Sequence, residues 1–335
     1  MAFYILGAGA MGLVFAAGLA RHQIPVNLLL RQAAFNAYKR IGCNVTEERR
    51  PPPPAPFVRE AFSVDAQVVS NKGCQINHLI LATKAQHALE ALKSVEGRLG
   101  PDSVVVLAQN GVLAVLDQAK SHFAPSSMPK FVYGVLNHGG NRPHGEPFTT
   151  AHAVPNGYAW FGTEREGDIS SERRAVEILA SVPGLNVNWI PTAKETRTIV
   201  WKKLLMNCAV NALSGIARCN NGAIPASENA MSIMKAVTEE CLKVMGDKVP
   251  NETLQSLMDG FSAQMARNQT TRTSMCEDLD QKRRTEISFF NGFISALGRQ
   301  KGIATPVNDT LTSSILFLED VLIRDKDVSK WQHRE

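Results

Sequence analysis

The chain opens on a glycine-rich turn between an apolar strand and an apolar helix, in the segment AFYILGAGAMGLVFAAGLARHQ. Gly7, Gly9 and Gly12 follow the spacing G-x-G-x-x-G within it. In such a unit the first glycine permits a tight turn, the second lets the backbone approach a pyrophosphate, and the third lets the helix pack closely on the strand. The helix start presents free N–H groups to the anion. This context predicts a dinucleotide-binding unit whose phosphate-binding turn also contains Ala10 and Met11.

The end of the second strand indicates which dinucleotide would bind. A site for NAD usually has an acidic residue about twenty positions beyond the glycines, where it accepts hydrogen bonds from the ribose. Here no Asp or Glu precedes Glu47, and Arg31 ends the strand PVNLLL instead. A guanidinium at that position can pair with the 2′-phosphate of NADPH. A solvated arginine is common at a strand end, but the absence of acids across the whole first unit favours NADPH.

Strands and helices alternate through the first half of the chain. The apolar runs HLILAT, SVVVLAQ and KFVYGVLNH predict strands, with a helical pattern at 85–99 between the first two. Short strands at TAHAV and YAWFGT and a helix at 171–180 complete the pattern. The run RRPPPPAPF can form neither a helix nor a central strand, so it predicts a surface insertion at 49–57. The alternation predicts a parallel, doubly wound sheet in a Rossmann-type domain over residues 1–191.

From residue 192 the pattern is helical almost throughout, interrupted by GDKVPNE, RNQTTRTS and KGIATP. A chain of 335 residues is long enough to bury two separate cores. The expected fold class is therefore α/β, with an N-terminal Rossmann-type domain followed by an all-helical domain over residues 192–335.

Composition excludes several classes of function. The net charge of +5 is not gathered into basic runs, so nucleic-acid binding is not favoured, whereas an acidic small molecule would suit it. The six cysteines lack a C-x-x-C pair and the eight histidines form no metal-ligand pattern, so we expect no metal site. Unpaired cysteines and the lack of a long apolar run or leader predict a cytoplasmic protein without a membrane span.

The segment WKKLLMNCAVNALSG, just after the domain junction, is the most informative part of the second half. Lys203, Asn207 and Asn211 are spaced i, i+4 and i+8, so they lie on one face of a helix. A solvated polar stripe is the plain alternative. The strongly apolar neighbours, the two asparagines and the position beside a domain junction favour a ligand-binding face instead.

A second informative segment, TSMCEDLDQKRRTEISFFNGF, lies further downstream. Ser274 and Glu277 have the spacing of a capping box, so the plain alternative for Ser274 is a helix N-cap. A capping serine would still lie at a helix N-terminus, where a carboxylate ligand could bind. Glu286 follows a run of basic residues, and it could form a surface ion pair or turn inward as a partner for Lys203.

Together these segments resemble the ketopantoate reductase (2-dehydropantoate 2-reductase) family. The similarity runs from end to end and also includes TKA at 83–85, QNG at 109–111, GVLNHGG and KGIATPVNDTL, in the family's order. It implies a site in the cleft between a Rossmann domain and a helical domain. It also implies NADPH as the cofactor and the 2-keto acid 2-dehydropantoate as the substrate, with hydride delivered to the C2 ketone to give pantoate for pantothenate and coenzyme A biosynthesis.

The resemblance assigns roles to the helical segments. Lys203 matches the family's general acid, and Glu286 matches the carboxylate that positions it. Asn207 and Asn211 match residues that hold the hydroxyl end of the substrate, while Ser274 matches one that binds its carboxylate. An ammonium hydrogen-bonded to the carbonyl oxygen would stabilise the developing charge and supply the proton.

On the cofactor side, the resemblance matches Lys84 to a residue lining the dinucleotide and Asn110 to one near both the nicotinamide ribose and the substrate. Either Gln86 or His87 would meet the cofactor. The sequence departs from the family at TEIS, where Ser288 replaces the usual acid, and at Ala212, which replaces a proline. A related reductase of another 2-keto acid and a non-catalytic NADP-binding protein therefore stay as alternatives, and both monomer and homodimer are open.

Overall fold

The computed structural model describes residues 2–49, 56–153 and 157–324, and the chain divides into two compact units, Met1–Ile199 and Val200–Glu335. The division falls inside a helix that begins at Ala193, whereas the sequence pattern placed the boundary before it, after residue 191. The first turns of this helix belong to unit 1. Arg197 Nε lies 2.6 Å from Glu164 Oε2 there, and Thr196 is fully buried.

Unit 1 combines two sheets with five helices among its described residues. The strands are β1 (Phe3–Leu6), β2 (Val26–Leu30), β3 (Asn44–Arg49), β4 (Val58–Ser63), β5 (Asp65–Val68), β6 (His78–Leu81), β7 (Val104–Leu107), β8 (Lys130–Leu136), β9 (Gly139–Asn141), β10 (Thr149–Ala153), β11 (Ala159–Gly162) and β12 (Val187–Trp189). The helices are α1 (Ala10–Arg21), α2 (Gln32–Arg40), α3 (Ala88–Lys93), α4 (Val112–His122) and α5 (Ser170–Ala180). The larger sheet has the order β12-β11-β8-β7-β6-β1-β2-β5.

The order of strands in the larger sheet reverses at β1. This strand pairs in parallel with β2 on one side and with β6 on the other. Six strands, β5, β2, β1, β6, β7 and β8, run parallel, so their carboxyl ends share one edge. Ligands of open α/β sheets bind outside this edge, where the strand order reverses. The predicted parallel, Rossmann-type sheet is confirmed.

The core of unit 1 explains why these segments become strands and a central helix. Every residue of β6 and β7 is buried, and Phe3, Ile5, Leu13 and Phe15 of β1 and α1 are fully buried. Burying each such side chain contributes about 1.5–3 kcal/mol. A strand that is buried on both faces needs a continuous run of apolar residues, so such a strand can be recognised in the sequence.

A smaller sheet, with the order β4-β3-β10-β9, was not anticipated from the sequence beyond the strand at TAHAV. Its strand β10 pairs in parallel with β3, and the hydroxyl of Thr150 in β10 donates a hydrogen bond to the carbonyl oxygen of Ala10 at 3.1 Å. The smaller sheet therefore supports the glycine-rich turn. Most of the proline-rich run, residues 50–55, lies outside the described residues.

Unit 2 is helical throughout its described residues, which confirms the prediction. Its helices are α6 (Ala193–Ala217, shared with unit 1), α7 (Glu228–Met245), α8 (Leu254–Arg267), α9 (Ser274–Asp280), α10 (Asn291–Lys301) and α11 (Pro306–Arg324). Glu240 of α7 accepts hydrogen bonds from the backbone N–H groups of Val307 and Asn308, at 2.9 and 3.0 Å. A carboxylate at this position stabilises the N-terminus of α11.

Candidate active site

The glycine-rich turn connects β1 to α1 at the strand where the sheet order reverses. Gly7 has a φ of +113°, and a Cβ atom there would lie 2.7 Å from the backbone of Ala82. A Cβ on Gly12 would lie 1.9 Å from the carbonyl oxygen of Gly7. Gly9 differs, because among the described residues the nearest atom to its Cβ position is 3.9 Å away. Two glycines are thus required by the fold, while the third leaves room for a ligand to approach the backbone.

The start of α1 suits an anion. Gly9 is its N-cap and makes no side-chain capping bond, and Ala10, Met11 and Gly12 form a first turn without an acidic residue. The N–H groups at a helix start carry partial positive charge, which favours a phosphate. This geometry fits the pyrophosphate of a dinucleotide.

Arg31 lies at the carboxyl end of β2, one position before α2 begins. Its side chain is exposed, and the first turn of α2 contains no acidic residue. The guanidinium is therefore available to an anionic group bound beside β2. In this fold the adenosine ribose lies at that strand end.

The loops after β6 and β7 hold the other predicted residues of the cofactor side. Lys84 is half-buried and precedes a single 3-10 turn, Ala85–His87, which takes the place of the first part of the predicted helix at 85–99. Asn110 is half-buried and precedes Gly111. This glycine has a φ of +67° and is the N-cap of α4. Both residues lie at the same edge of the sheet as the glycine-rich turn.

In unit 2, α6 presents a row of polar side chains among mostly apolar neighbours. Asn207 and Asn211 are buried, with 6% and 8% of their surface exposed, and Lys203 is half-buried. Across the described part of the chain, no residue forms a hydrogen bond or ion pair with these three side chains. Buried polar groups normally have partners, so an unpaired row indicates a binding surface.

The ammonium of Lys203 is perturbed by its surroundings. Burial lowers the pKa of this lysine below its ordinary value, because desolvation disfavours the charged form. Its neighbour Lys202 differs, since it forms an ion pair with Glu252 at 2.6 Å (Nζ–Oε1). The two lysines therefore lie in different environments, as their separation around the helix predicts.

Glu286 and Ser274 also lie in unit 2. Glu286 is buried, with 4% of its surface exposed, and it precedes a short 3-10 turn at Ile287–Phe289. Ser274 is half-buried in the first turn of α9. The alternative capping role of Ser274 is wrong: Thr273 caps the helix, and its hydroxyl accepts a hydrogen bond from the backbone N–H of Cys276 at 3.3 Å.

Sequence reasoning missed the residues that hold the polar row of α6 in place. The hydroxyls of Ser214 and Thr273 bond each other, which fixes the end of α6 against the start of α9. Asn291 donates a hydrogen bond to the carbonyl oxygen of Cys208 at 3.1 Å and a second one to Asn308 at 3.0 Å. Their partners are distant in sequence, so no local pattern could have identified them.

These arrangements set the chemistry that the chain can perform. The sheet edge of unit 1 can bind a dinucleotide, and α6 of unit 2 presents one cation and two amides that can bind a carbonyl and a hydroxyl.

Over the described residues there is no group of three or more His, Cys, Asp or Glu side chains that could hold a metal ion. Within the same residues, no helix is long and apolar enough to cross a membrane.

The fold and these sites define a dinucleotide-binding α/β protein with a second, helical unit. Comparison with known families narrows this class. The family model described as ketopantoate reductase PanE/ApbA matches residues 3–166, and its C-terminal counterpart matches residues 195–319. The chain belongs to the ketopantoate reductase family, and it is an oxidoreductase that acts on CH–OH groups.

Individual relatives cover nearly the whole chain. The 2-dehydropantoate 2-reductase of Vibrio cholerae is 28% identical over 95% of this chain and 98% of its own length. A ketoisovalerate reductase of Gibberella fujikuroi is 24% identical over 93% of this chain and 82% of its own length. A D-mandelate dehydrogenase solved with NADH and anilino(oxo)acetate shares the fold, with a TM-score of 0.80 and 22% identity over 96% of this chain and 99% of that chain.

Proposed function

We propose that this protein reduces the C2 ketone of a 2-keto acid with NADPH, and that 2-dehydropantoate is its substrate. The row Lys203, Asn207 and Asn211 carries the proposal, because these polar groups lack partners within the described residues. Membership of the ketopantoate reductase family and the relative in Vibrio cholerae support the choice of substrate.

Lys203 acts as the general acid. Its ammonium donates a hydrogen bond to the carbonyl oxygen of the substrate, stabilises the negative charge that builds there and then transfers the proton. A positioned proton donor contributes about 10²- to 10⁴-fold to the rate. Because burial lowers the pKa of Lys203, the ammonium releases its proton more readily than a solvated lysine would.

The other residues bind and orient the substrate. Asn207 and Asn211 hold its hydroxyl end, since an amide side chain offers both a donor and an acceptor to a hydroxyl group. Ser274 binds the carboxylate. Lys203 and Glu286 form no ion pair in the structure, so the positioning of the ammonium by Glu286 would be established when substrate binds. Each unpaired amide that gains a partner on binding adds to the affinity, since leaving it buried and unpaired is unfavourable.

On the cofactor side, the glycine-rich turn and the start of α1 bind the pyrophosphate, while Lys84 and Asn110 lie along the nicotinamide side. The bound nicotinamide ring supplies the hydride, and the protein supplies its alignment. The exposed Arg31 at the end of β2 supports NADPH, because its guanidinium can pair with the 2′-phosphate. The acid-free sequence before Glu47 supports the same choice.

A second candidate substrate is 2-ketoisovalerate. The ketoisovalerate reductase of Gibberella fujikuroi matches this chain over nearly its whole length. The keto acid of that name lacks the hydroxymethyl group of 2-dehydropantoate. It would therefore leave the two asparagines of α6 without a hydroxyl partner, and for this reason we rank it second.

The proposal is tested by following NADPH oxidation with 2-dehydropantoate, 2-ketoisovalerate and 2-oxo-2-phenylacetate. We expect the highest kcat/KM for 2-dehydropantoate. A site that hydrogen-bonds a substrate hydroxyl discriminates strongly against an analogue without it, by up to about 10⁴-fold. A preference for 2-ketoisovalerate would show that the proposed substrate is wrong and that the proposed reaction, reduction of a 2-keto acid, is right. If none of the three compounds is reduced, the proposal is contradicted.

A further inference from the structure

Two polar side chains at the edge where the dinucleotide binds have no role so far. Thr83 follows β6 and Gln109 follows β7. The hydroxyl of Thr83 and both polar atoms of the Gln109 amide are buried, and none of them has a hydrogen-bond partner in the described part of the chain. Gln109 as a whole is only 7% exposed.

The register of the sheet relates the positions of these two residues. Leu81 of β6 pairs with Leu107 of β7, and Thr83 and Gln109 each lie two positions beyond this pair. The carbonyl oxygen of Leu81 also accepts a hydrogen bond from the N–H of Ala108 at 2.8 Å, which extends the ladder toward the edge. Thr83 and Gln109 therefore occupy equivalent positions in the loops that follow two adjacent strands.

Thr83 also touches the glycine-rich turn. A Cβ atom on Gly7 would lie 2.8 Å from the backbone nitrogen of Thr83, so the two segments are in close contact. The turn binds the pyrophosphate, and Arg31 marks the adenosine side at β2. Because β6 and β7 lie on the other side of β1, the nicotinamide half of the dinucleotide extends toward Thr83 and Gln109.

A buried polar group without a partner is unfavourable, and apolar residues of the same size would remove that cost. Two such groups in adjacent loops, at an edge where a dinucleotide binds, indicate that the ligand supplies the partners. We infer that the Thr83 hydroxyl and the Gln109 amide hydrogen-bond the nicotinamide riboside half of the cofactor. This inference rests on the dinucleotide cofactor of the proposed function.

Substitutions at Thr83 and Gln109 should weaken cofactor binding without lowering the stability of the ligand-free protein. The near-isosteric variants Thr83→Val and Gln109→Met remove an orphaned polar group, so the melting temperature of the ligand-free protein should stay equal or rise. The dissociation constant for NADPH should increase by about 2- to 10-fold per variant, the equivalent of one hydrogen bond. Binding of 2′,5′-ADP, which lacks the nicotinamide half, should stay within about twofold of wild type.

Thr163→Val is the matched control for stability. Thr163 is 5% exposed, and its hydroxyl accepts a hydrogen bond from the N–H of Arg165 at 3.2 Å. It follows β11, which runs antiparallel to β8, so it lies at the opposite edge of the sheet. Removing this paired hydroxyl should lower the melting temperature and leave the affinity for NADPH unchanged.

Two results would overturn the inference. A lower melting temperature with unchanged NADPH affinity would show a structural role, and equal weakening of NADPH and 2′,5′-ADP would show a distorted turn. Wild-type protein that binds NADPH but reduces no 2-keto acid would contradict the proposed function and leave the inference intact. Wild-type protein that binds neither NADPH nor 2′,5′-ADP would overturn both.

Discussion

Each unit of the molecule buries a set of polar side chains, and the two sets differ in what they bond rather than in how deeply they lie. In unit 1, Glu47 and His152 are 1% and 2% exposed, while in unit 2, Asn207 and Asn211 are 6% and 8% exposed. The first set is bonded to other protein groups, whereas the described residues offer no partner to the second. Burial alone therefore does not identify a site, whereas a row of polar side chains without partners on one helix face indicates one.

The paired side chains of unit 1 form a continuous chain of hydrogen bonds. Nδ1 of His152 lies 3.1 Å from Oε1 of Glu47, and its Nε2 lies 2.9 Å from Nδ1 of His138. The chain ends where Nε2 of His138 meets the carbonyl oxygen of Leu185 at 2.8 Å. Arg21 of α1 also pairs with Glu47. These contacts join β3 and β10 of the smaller sheet to the segment before β12 of the larger one, so we interpret the chain as structural.

The comparison predicts its largest effect at Lys203. Replacing this lysine with methionine should lower kcat by about 10²- to 10⁴-fold, the contribution of a positioned proton donor. The melting temperature should not fall, because the folded-state pKa is lowered: below that pKa the charged lysine destabilises the folded state. Steady-state kinetics and thermal unfolding of the same preparation measure both quantities.

Lys202→Met is the control for that variant. Lys202 is paired with Glu252 on the surface, and an exposed ion pair contributes only about 0–1 kcal/mol. We expect this variant to keep kcat within about twofold of wild type and to lose little stability. Loss of turnover in Lys202→Met, with Lys203→Met active, would place the wrong face of α6 at the substrate.

Arg31 differs from both buried sets, because its side chain is exposed to solvent. Arg31→Ala should raise the dissociation constant of NADPH by about 10- to 100-fold, the range of a charge-assisted hydrogen bond. Affinity for NADH should change by less than about twofold, because NADH lacks the 2′-phosphate. Fluorescence titration measures both, and equal losses would show that Arg31 does not contact that phosphate.

A smaller effect is expected in the pH dependence of kcat. The general acid must be protonated, so kcat should fall about tenfold per pH unit above the pKa of Lys203. Burial lowers that pKa, so the decline should begin below the ordinary lysine value of 10.5. Lys203→Arg keeps the charge but does not deprotonate in this range, so its residual activity should lack the decline. The same decline in both proteins would assign it to another group.

Local chemistry explains why much of unit 1 could be predicted from the sequence. The conformation of the glycine-rich turn and the burial of β6 and β7 depend on residues that are close together in the sequence, so a local pattern reveals them. The smaller sheet was missed because β3 and β4 carry charged residues and contain no continuous apolar run. Strand β10 pairs with β3 across about a hundred residues, and no local pattern encodes such pairing.

The spacing of Lys203, Asn207 and Asn211 could also be recognised in the sequence. The absence of hydrogen-bond partners for their side chains among the described residues could not be predicted from it. A partner depends on which distant segment packs against the helix, as His152 and Glu47 show. The cap of α9 illustrates the same limit: threonine and serine are both favoured N-caps, and only Ser274 has the capping-box spacing to Glu277. Thr273 takes the position, and its hydroxyl also meets Ser214 on α6.

The most direct test compares one variant from each buried set, Asn211→Leu and His152→Phe, by thermal unfolding and by kcat/KM. We expect Asn211→Leu to lower kcat/KM by about tenfold without lowering the melting temperature, since it removes only an unpaired amide. His152→Phe should lose about 1–3 kcal/mol of stability, because its neighbours lose partners, while the folded enzyme keeps its kcat/KM. The reverse pattern, with Asn211→Leu unstable and His152→Phe inactive but stable, would contradict the claim that the unpaired row is the substrate site.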